Sequence, residues 1–431
     1  MAKPSKPTTD SAHHLTRVSA SVDELLQAAQ ERADQSFETG RTILTCKGAA
    51  LDDGVKTLRE KGFRIADARD FEHQAIVTEA LGDADAVVFP EIGALLGCGA
   101  KCLEHGLTPH HEIPPESPFE AIEPEYFVFA GDTANDYLRG FMRAVETITR
   151  DLGGQRQEQE LQPEVLGVTW GLAACKVPDS CRSGVGIRVA ILDTGLDLNH
   201  PDFAGRSITG KSFVGQPVQD GNSHGTHTTG TATGTKTPPG STPRYGIAFR
   251  SQIFAGKVLT NAGSGSTATV LAGMNWAIAQ RCAVISMSLG AQSPVQAAFT
   301  AAGQAALAAG CLMIAAAGNA SAQTGAPANS PTIMSIAALD PNLSPSSFSN
   351  FGKIELAAPG RDVFSSVPLP RRYAIYSGTS MAAPHVAGVA ALWAETNASL
   401  RGQALWNKLM ATAKTLPFAP ARVGKGLVQA P

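Results

Sequence analysis

From about Gly167 to the C-terminus, charge thins out and short β-branched runs alternate with alanine-rich stretches. IRVAILDTG, SQIFAGKVL, CAVISMSLG, CLMIAAAGN and TIMSIAAL are nearly continuous apolar strands, and STATVLAGMNWAIAQ and SPVQAAFTAAGQAALAAG between them read as helices. Strands apolar on both faces need cover on both faces. The pattern therefore predicts an α/β fold with a parallel sheet between two helical layers. Chemistry in such sheets gathers where the strands end.

The preceding residues have a different texture. Residues 1–40 are polar and uneven and read as a flexible tail, apart from a short helical pattern in SVDELLQAAQERA. Over 41–130, RTILTCKG alternates like a strand and ALDDGVKTLREKG has helical spacing ending at Gly62. FRIADARD, DADAVVFPEIGALLG and AIEPEYFVFAG then read as strands. A β-α-β-β-α-β order predicts a small α+β, ferredoxin-like unit. Residues 131–166 follow as a helical segment and linker. Leu138, Phe141, Met142, Val145 and Ile148 share one helical face over 133–151, and LGGQRQEQELQPEVLG after them is polar. Residues 167–431 form the last domain.

The chain has 431 residues and a net charge of -3, which predicts no attraction to nucleic acid or anionic membranes. No apolar run reaches a bilayer span, and no apolar segment follows the N-terminus as in a secretory signal. The expectation is a cytoplasmic protein or one exported by a non-standard route. Seven Cys is an odd count and argues against a disulfide framework, though Cys175 and Cys181 are close enough in sequence to pair. CGAKCLEHGLTPHH gathers Cys and His without a familiar zinc spacing and reads as a polar loop. No metal and no cofactor is expected.

Three segments carry unusual chemistry. In AILDTGLDLNHPDF, Asp193 ends an apolar strand, so its carboxylate needs a buried partner or caps a turn. In SHGTHTTGTATG, His224 precedes a helix start, and His227, one turn on, reads as a packed structural histidine. In SGTSMAAPHVAG, Pro384 suits only the first turn of a helix, which puts the helix start just before it and Ser380 at the N-terminus. Free N–H groups there stabilise negative charge. Ser377 and Thr379 read as turn formers.

Asp, His and Ser in this chain order, within DTGLDLNHPDF, NSHGTHTTGT and SGTSMAAPHVAG, resemble the subtilisin-like serine proteases over residues 165–431. The resemblance implies that Asp193 orients His224, that His224 takes the proton of Ser380, and that Ser380 forms an acyl-enzyme. It implies that Asn319, in AAAGNA, donates to the oxyanion with the Ser380 N–H. Ser288, Leu289 and Gly290 on one edge, and Gly263, Ser264 and Gly265 on the other, would pair with an extended peptide. Ala317, Gly318 and Gly325 would line the pocket for the residue before the cut, with an apolar or broad preference. Asp202 matches a position that often binds Ca²⁺ in the family, but TGTKTPPGSTPRYG offers no carboxylate or Asn to complete an oxygen shell. Residues 41–130 resemble the family's propeptide, which implies a self-inhibited precursor cut between about Gly131 and Gly167. The implied partners are protein or peptide substrates and the intramolecular propeptide. Two other readings share these residues: a peptide ligase or esterase on the same triad, and a non-catalytic protein-binding module on a protease fold.

Overall fold

The structure, a computed structural model, describes residues 17–31, 37–70, 83–109, 112–131 and 167–431. The helix expected over 133–151 lies outside the described residues.

The first unit opens with helix α1, Val22–Glu31. Ser21 caps it: its N–H and hydroxyl both donate to Glu24 Oε2, at 2.7 and 2.9 Å, and the Glu24 N–H donates back to Ser21 Oγ. Strand β1 (Glu38–Cys46), helix α2 (Leu51–Glu60), strands β2 (Ile65–Asp67), β3 (Ala86–Phe89) and β4 (Ala94–Gly97), helix α3 (Gly99–Glu104) and the long strand β5 (Phe119–Ala130) complete it. The strands run in the order β5-β1-β4-β3-β2. The segment read as one strand over 83–97 is a hairpin, because Glu91-Ile92-Gly93 turns the chain back and β3 pairs antiparallel with β4. The segment 98–111, read as a polar loop, includes α3, which buries Cys102 in one cluster with Leu44 and Leu58.

Residues 17–31 differ from the flexible tail expected of 1–40. Val22, Leu25, Leu26 and Ala29 of α1 are buried together with Phe127 and Phe129 of β5. An apolar stripe too short to stabilise a lone helix holds once two phenylalanines cover it.

The second unit begins with α4 (Trp170–Ala174) and β6 (Arg188–Asp193). It continues through β7 (Ile208–Ser212), α5 (His224–Thr233), β8 (Gln252–Lys257), β9 (Ser264–Ser266) and α6 (Thr267–Ala279). Next come β10 (Val284–Met287), β11 (Leu289–Gly290), α7 (Ala297–Ala308), β12 (Leu312–Ala316), β13 (Met334–Leu339) and β14 (Leu356–Pro359). The hairpin β15 (Val363–Ser366) and β16 (Tyr373–Tyr376) leads into α8 (Thr379–Thr396), α9 (Gly402–Thr412) and α10 (Pro420–Val423). Strands β14-β13-β12-β10-β6-β8-β7 form one parallel sheet. One core lies on the α6–α7 side and another on the α8–α9 side. Strands β7 and β14 escaped the sequence reading because they are edges. ITGKS has little apolar character, and LAAP ends in a proline that only an edge tolerates.

The two units share a sheet. Strand β5 runs antiparallel between β9 and β11, with Phe127 opposite Ser266, Phe129 opposite Ser264 and Ala130 opposite Leu289. Two carboxylates of β5 also reach helix starts in the second unit. Glu123 accepts from the Ala297 N–H at 3.0 Å, and Glu125 from the Ala268 N–H at 3.0 Å. Glu125 is fully buried and bidentate with Arg41, at 2.6 and 2.9 Å. Burial raises its pKa, but Arg41 and the hydroxyls around it outweigh this and hold it low.

Replacing Glu125 with Gln leaves Arg41 a buried, unpaired cation. It is expected to weaken the first unit by about 3–5 kcal/mol. Hydrogen exchange should show lost protection in β1 and β5 and unchanged protection in β10 and β12.

Candidate active site

The C-terminal end of β6 fixes the first group. Asp193 is buried, and its Oδ1 lies 2.8 Å from His224 Nδ1, at the start of α5. The Thr194 N–H donates to the same oxygen at 2.7 Å, and Thr228 Oγ1 donates to Oδ2 at 3.1 Å. The carboxylate is thus buried with donors on both oxygens, which an Asx turn alone would not supply. Burial disfavours a charged His224, but Asp193 beside it, with Asp220 further off, outweighs that and leaves its pKa above 6.5. Its Nε2 is buried and has no hydrogen-bond partner among the described residues.

His227 differs. Its Nε2 bonds the Val363 carbonyl at 3.0 Å and its ring stacks on Tyr376. Burial, with charge repulsion from His224, drops its pKa to about 3. It is a neutral packing group.

Helix α8 begins at Thr379, a turn earlier than the proline rule placed it, and Ser380 is its second residue. Pro384 has no N–H to give the Ser380 carbonyl one turn back. Ser288 Oγ donates there instead, at 2.6 Å. Ser380 Oγ in turn donates to the Ser288 carbonyl at 3.3 Å. Ser377 holds the approach to the helix by accepting from the Asp362 N–H at 3.0 Å.

Asn319 follows β12. Its Oδ1 accepts from the Thr379 N–H at 2.6 Å and from Thr379 Oγ1 at 2.7 Å. With the oxygen so held, the amide nitrogen has one orientation. Gly378 between them has φ 154°, and a Cβ there would crowd the Asn319 nitrogen at 3.3 Å. Thr379 was read from the sequence as a turn former; it positions Asn319.

Asp220 and Lys257 were not singled out from the sequence. Asp220 accepts from Thr194 Oγ1 and from the N–H groups of Asn222, Ser223 and Thr226, at 2.8–3.0 Å. It thereby holds Ser223, the residue before His224, at φ 98°, a strained value for a non-glycine. Lys257 ends β8 fully buried, with Nζ donating to the Thr194 carbonyl and Asn261 Oδ1. Burial, partly offset by Asp220 and Asp193, lowers its pKa to about 8. A charged residue ending the apolar run IFAG was the available signal for Lys257; Asp220, after the polar QPVQ, carried none.

A pocket beside Ser380 is lined by Leu289, Gly290, Ala317, Gly318, Asn319 and Gly325, and Gly131 lies in its wall. A Cβ on Gly325 would collide with the Ala291 carbonyl. Ser264 and Gly265 face β5 across one edge and Leu289 and Gly290 across the other, and the Ala130 N–H donates to the Gly263 carbonyl at 2.9 Å.

Asp202 is held by two tyrosines. Its carboxylate accepts from Tyr245 Oη at 2.5 Å and Tyr373 Oη at 3.1 Å. Burial, then the neighbouring anion, pushes the Tyr245 pKa well above 10. Cys175 and Cys181 do not pair: Cys175 is buried in the core and Cys181 is exposed. No helix among the described residues is long and apolar enough to cross a membrane.

The subtilase family model matches residues 184–426. The alkaline protease of Alkalihalobacillus alcalophilus is 38% identical over 281 residues, covering 64% of this chain and 72% of its own length. Subtilisin-like protease 1 of Trichophyton verrucosum is 40% identical over 242 residues, 52% of this chain and 58% of that protein. A crystal structure of a cold adapted subtilisin-like serine proteinase superposes with a TM-score of 0.53 at 32% identity, over 61% of this chain and 97% of that one. The chain belongs to the subtilase family and is a subtilisin-like serine protease, a hydrolase whose substrates are proteins or peptides.

Replacing Tyr245 with Phe should leave the buried Asp202 short of a donor and cost about 1.5–3 kcal/mol. Thermal melts should show that loss, and a chelator should leave the Tm of the unsubstituted chain unchanged.

Proposed function

We propose that this serine endopeptidase is made as a self-inhibited precursor, in which residues 17–131 act as the inhibitor and 167–431 as the enzyme. The observation that carries the reading is the pairing of β5 with both β9 and β11, ending at Ala130 and Gly131 beside Ser380. An extended peptide held on both edges is how a substrate's acyl side would lie. The bond to be cut is then Gly131–Asp132.

In this reading Ser380 Oγ attacks the carbonyl before the cut. His224 Nε2 takes its proton and passes it to the leaving amine, and water then hydrolyses the acyl-enzyme. Asp193 fixes the His224 tautomer, since its carboxylate at Nδ1 requires a hydrogen there and leaves Nε2 as the base. The developing oxyanion meets the Ser380 N–H, at a helix start where N–H groups lack intrahelical partners, and the Asn319 amide. Thr379 holds that amide, so the donor is oriented before the charge appears.

Two experiments test this. The full chain should split between residues 131 and 167 in intact-mass time courses, while Ser380→Ala stays whole. Asn319→Leu should lower kcat by about 10²–10³, the magnitude known for this donor in subtilisin. A wild-type chain that stays whole and takes no serine-directed fluorophosphonate would sink the reading.

The pH profile gives a further check. His224 must be neutral to act as base, so kcat/KM should fall as pH drops through its pKa. The neighbouring Asp193 places that fall above 6.5. Asp193→Asn should move the fall downward and reduce kcat by about 10⁴.

A further inference from the structure

The inhibitory strand stops behaving like a substrate at its last residue. Up to Ala130 it follows the cleft in antiparallel register, with Phe129 opposite Gly290 and Ala130 opposite Leu289. One more step would set residue 131 opposite Ser288. Gly131 instead turns into the left-handed region, with φ 67°, and a Cβ on it would meet open space. The Ser288 carbonyl, which an extended residue 131 would reach with its N–H, accepts from Ser380 Oγ at 3.3 Å. The base that should hold that hydroxyl, His224 Nε2, is buried without a hydrogen-bond partner among the described residues. Three features at one point thus agree: a strand that veers off, a nucleophile turned to a backbone carbonyl, and a base left waiting.

We propose that Gly131 times self-cleavage. Its left-handed turn keeps the Gly131 carbonyl out of the attacking geometry and leaves the Ser380 hydroxyl resting on the Ser288 carbonyl. The proposal rests on the precursor reading above. Cutting requires residue 131 to become extended. Its N–H then takes the Ser288 carbonyl, and the Ser380 hydroxyl turns to His224 Nε2. Ser380 Oγ bonds to the Gly131 carbonyl carbon and its proton passes through His224 to the Asp132 nitrogen. The C–N bond breaks, and water releases the Gly131 carboxylate. Glycine is the one residue that holds the left-handed and extended states at similar energy. Any L-residue disfavours the left-handed state, by roughly 5–30-fold in population. Glycine also leaves the pocket lined by Ala317, Gly318 and Gly325 without a side chain, so no burial in that pocket favours the productive pose.

The test compares cleavage within the chain and between molecules. Full-length wild type and Gly131→Ala are followed by intact mass, and Gly131→Leu adds a larger side chain. Separately, enzyme matured from the wild-type chain is given the octapeptide of residues 126–133 and its Ala counterpart. The peptide pair reports what alanine gains from the pocket alone. The precursor pair reports that gain together with the released turn. Gly131→Ala should self-cleave faster than wild type, and the Ala/Gly rate ratio within the chain should exceed the peptide ratio by roughly 5–30-fold. Equal ratios would mean that only the pocket matters and would overturn the proposal, as would slower cleavage of Gly131→Ala. If neither precursor is cut, Gly131 is not what limits cutting and the proposal fails. Fluorophosphonate labelling of Ser380 then decides separately whether the chain is an active protease.

Discussion

The structure turns on one strand lying between two others. Strand β5 joins the first unit's sheet to β9 and β11 and so makes two folding units into one object. Backbone pairing supplies the affinity, but on its own it does not say which residue of β5 stops beside Ser380. A slip of one residue would turn every side chain to the other face, and a slip of two would keep the faces and move the end. Something other than the ladder has to fix the register.

Charge does this. Glu125 meets Arg41, Thr39 and the Ala268 N–H at a point where no water can replace a missing partner. Arg41 and Thr39 belong to the same unit and travel with β5, but displacement by two residues would take the buried carboxylate away from the Ala268 N–H, the helix start it meets across the boundary. Glu123, at the start of α7, marks a second point along the same strand. Two carboxylates that each meet a helix start of the second unit thus set the register of the strand.

The fold of the second unit was legible because its strands are apolar throughout and its helices rich in alanine; the core follows from hydrophobic pattern alone. The order Asp193, His224, Ser380 was legible too, because Asp193 ends an apolar strand, His224 precedes a helix start and Ser380 stands just ahead of Pro384. What the sequence did not disclose depends on contacts between distant segments. Thr379 looks like a turn residue until Asn319 lies beside it. Asp202 has no evident partner in the sequence until Tyr245 and Tyr373 arrive from 43 and 171 residues away. Helix α1 was legible as a short helical pattern but its docking was not, because its cover, Phe127 and Phe129, is about a hundred residues on.

These long-range contacts share a direction. Asp220 holds Ser223 in a strained turn, Ser223 Oγ bonds the Tyr376 hydroxyl at 2.7 Å, and Tyr376 stacks on His227 within α5. Thr379 ties the start of α8 to the end of β12 through Asn319. The result is that α5 and α8, which carry His224 and Ser380, are pinned to each other and to the sheet ends by contacts that do not involve β5. Under the precursor reading proposed above, this frame would stay in place on departure of β5, and the same cleft would seat first the strand and then a substrate.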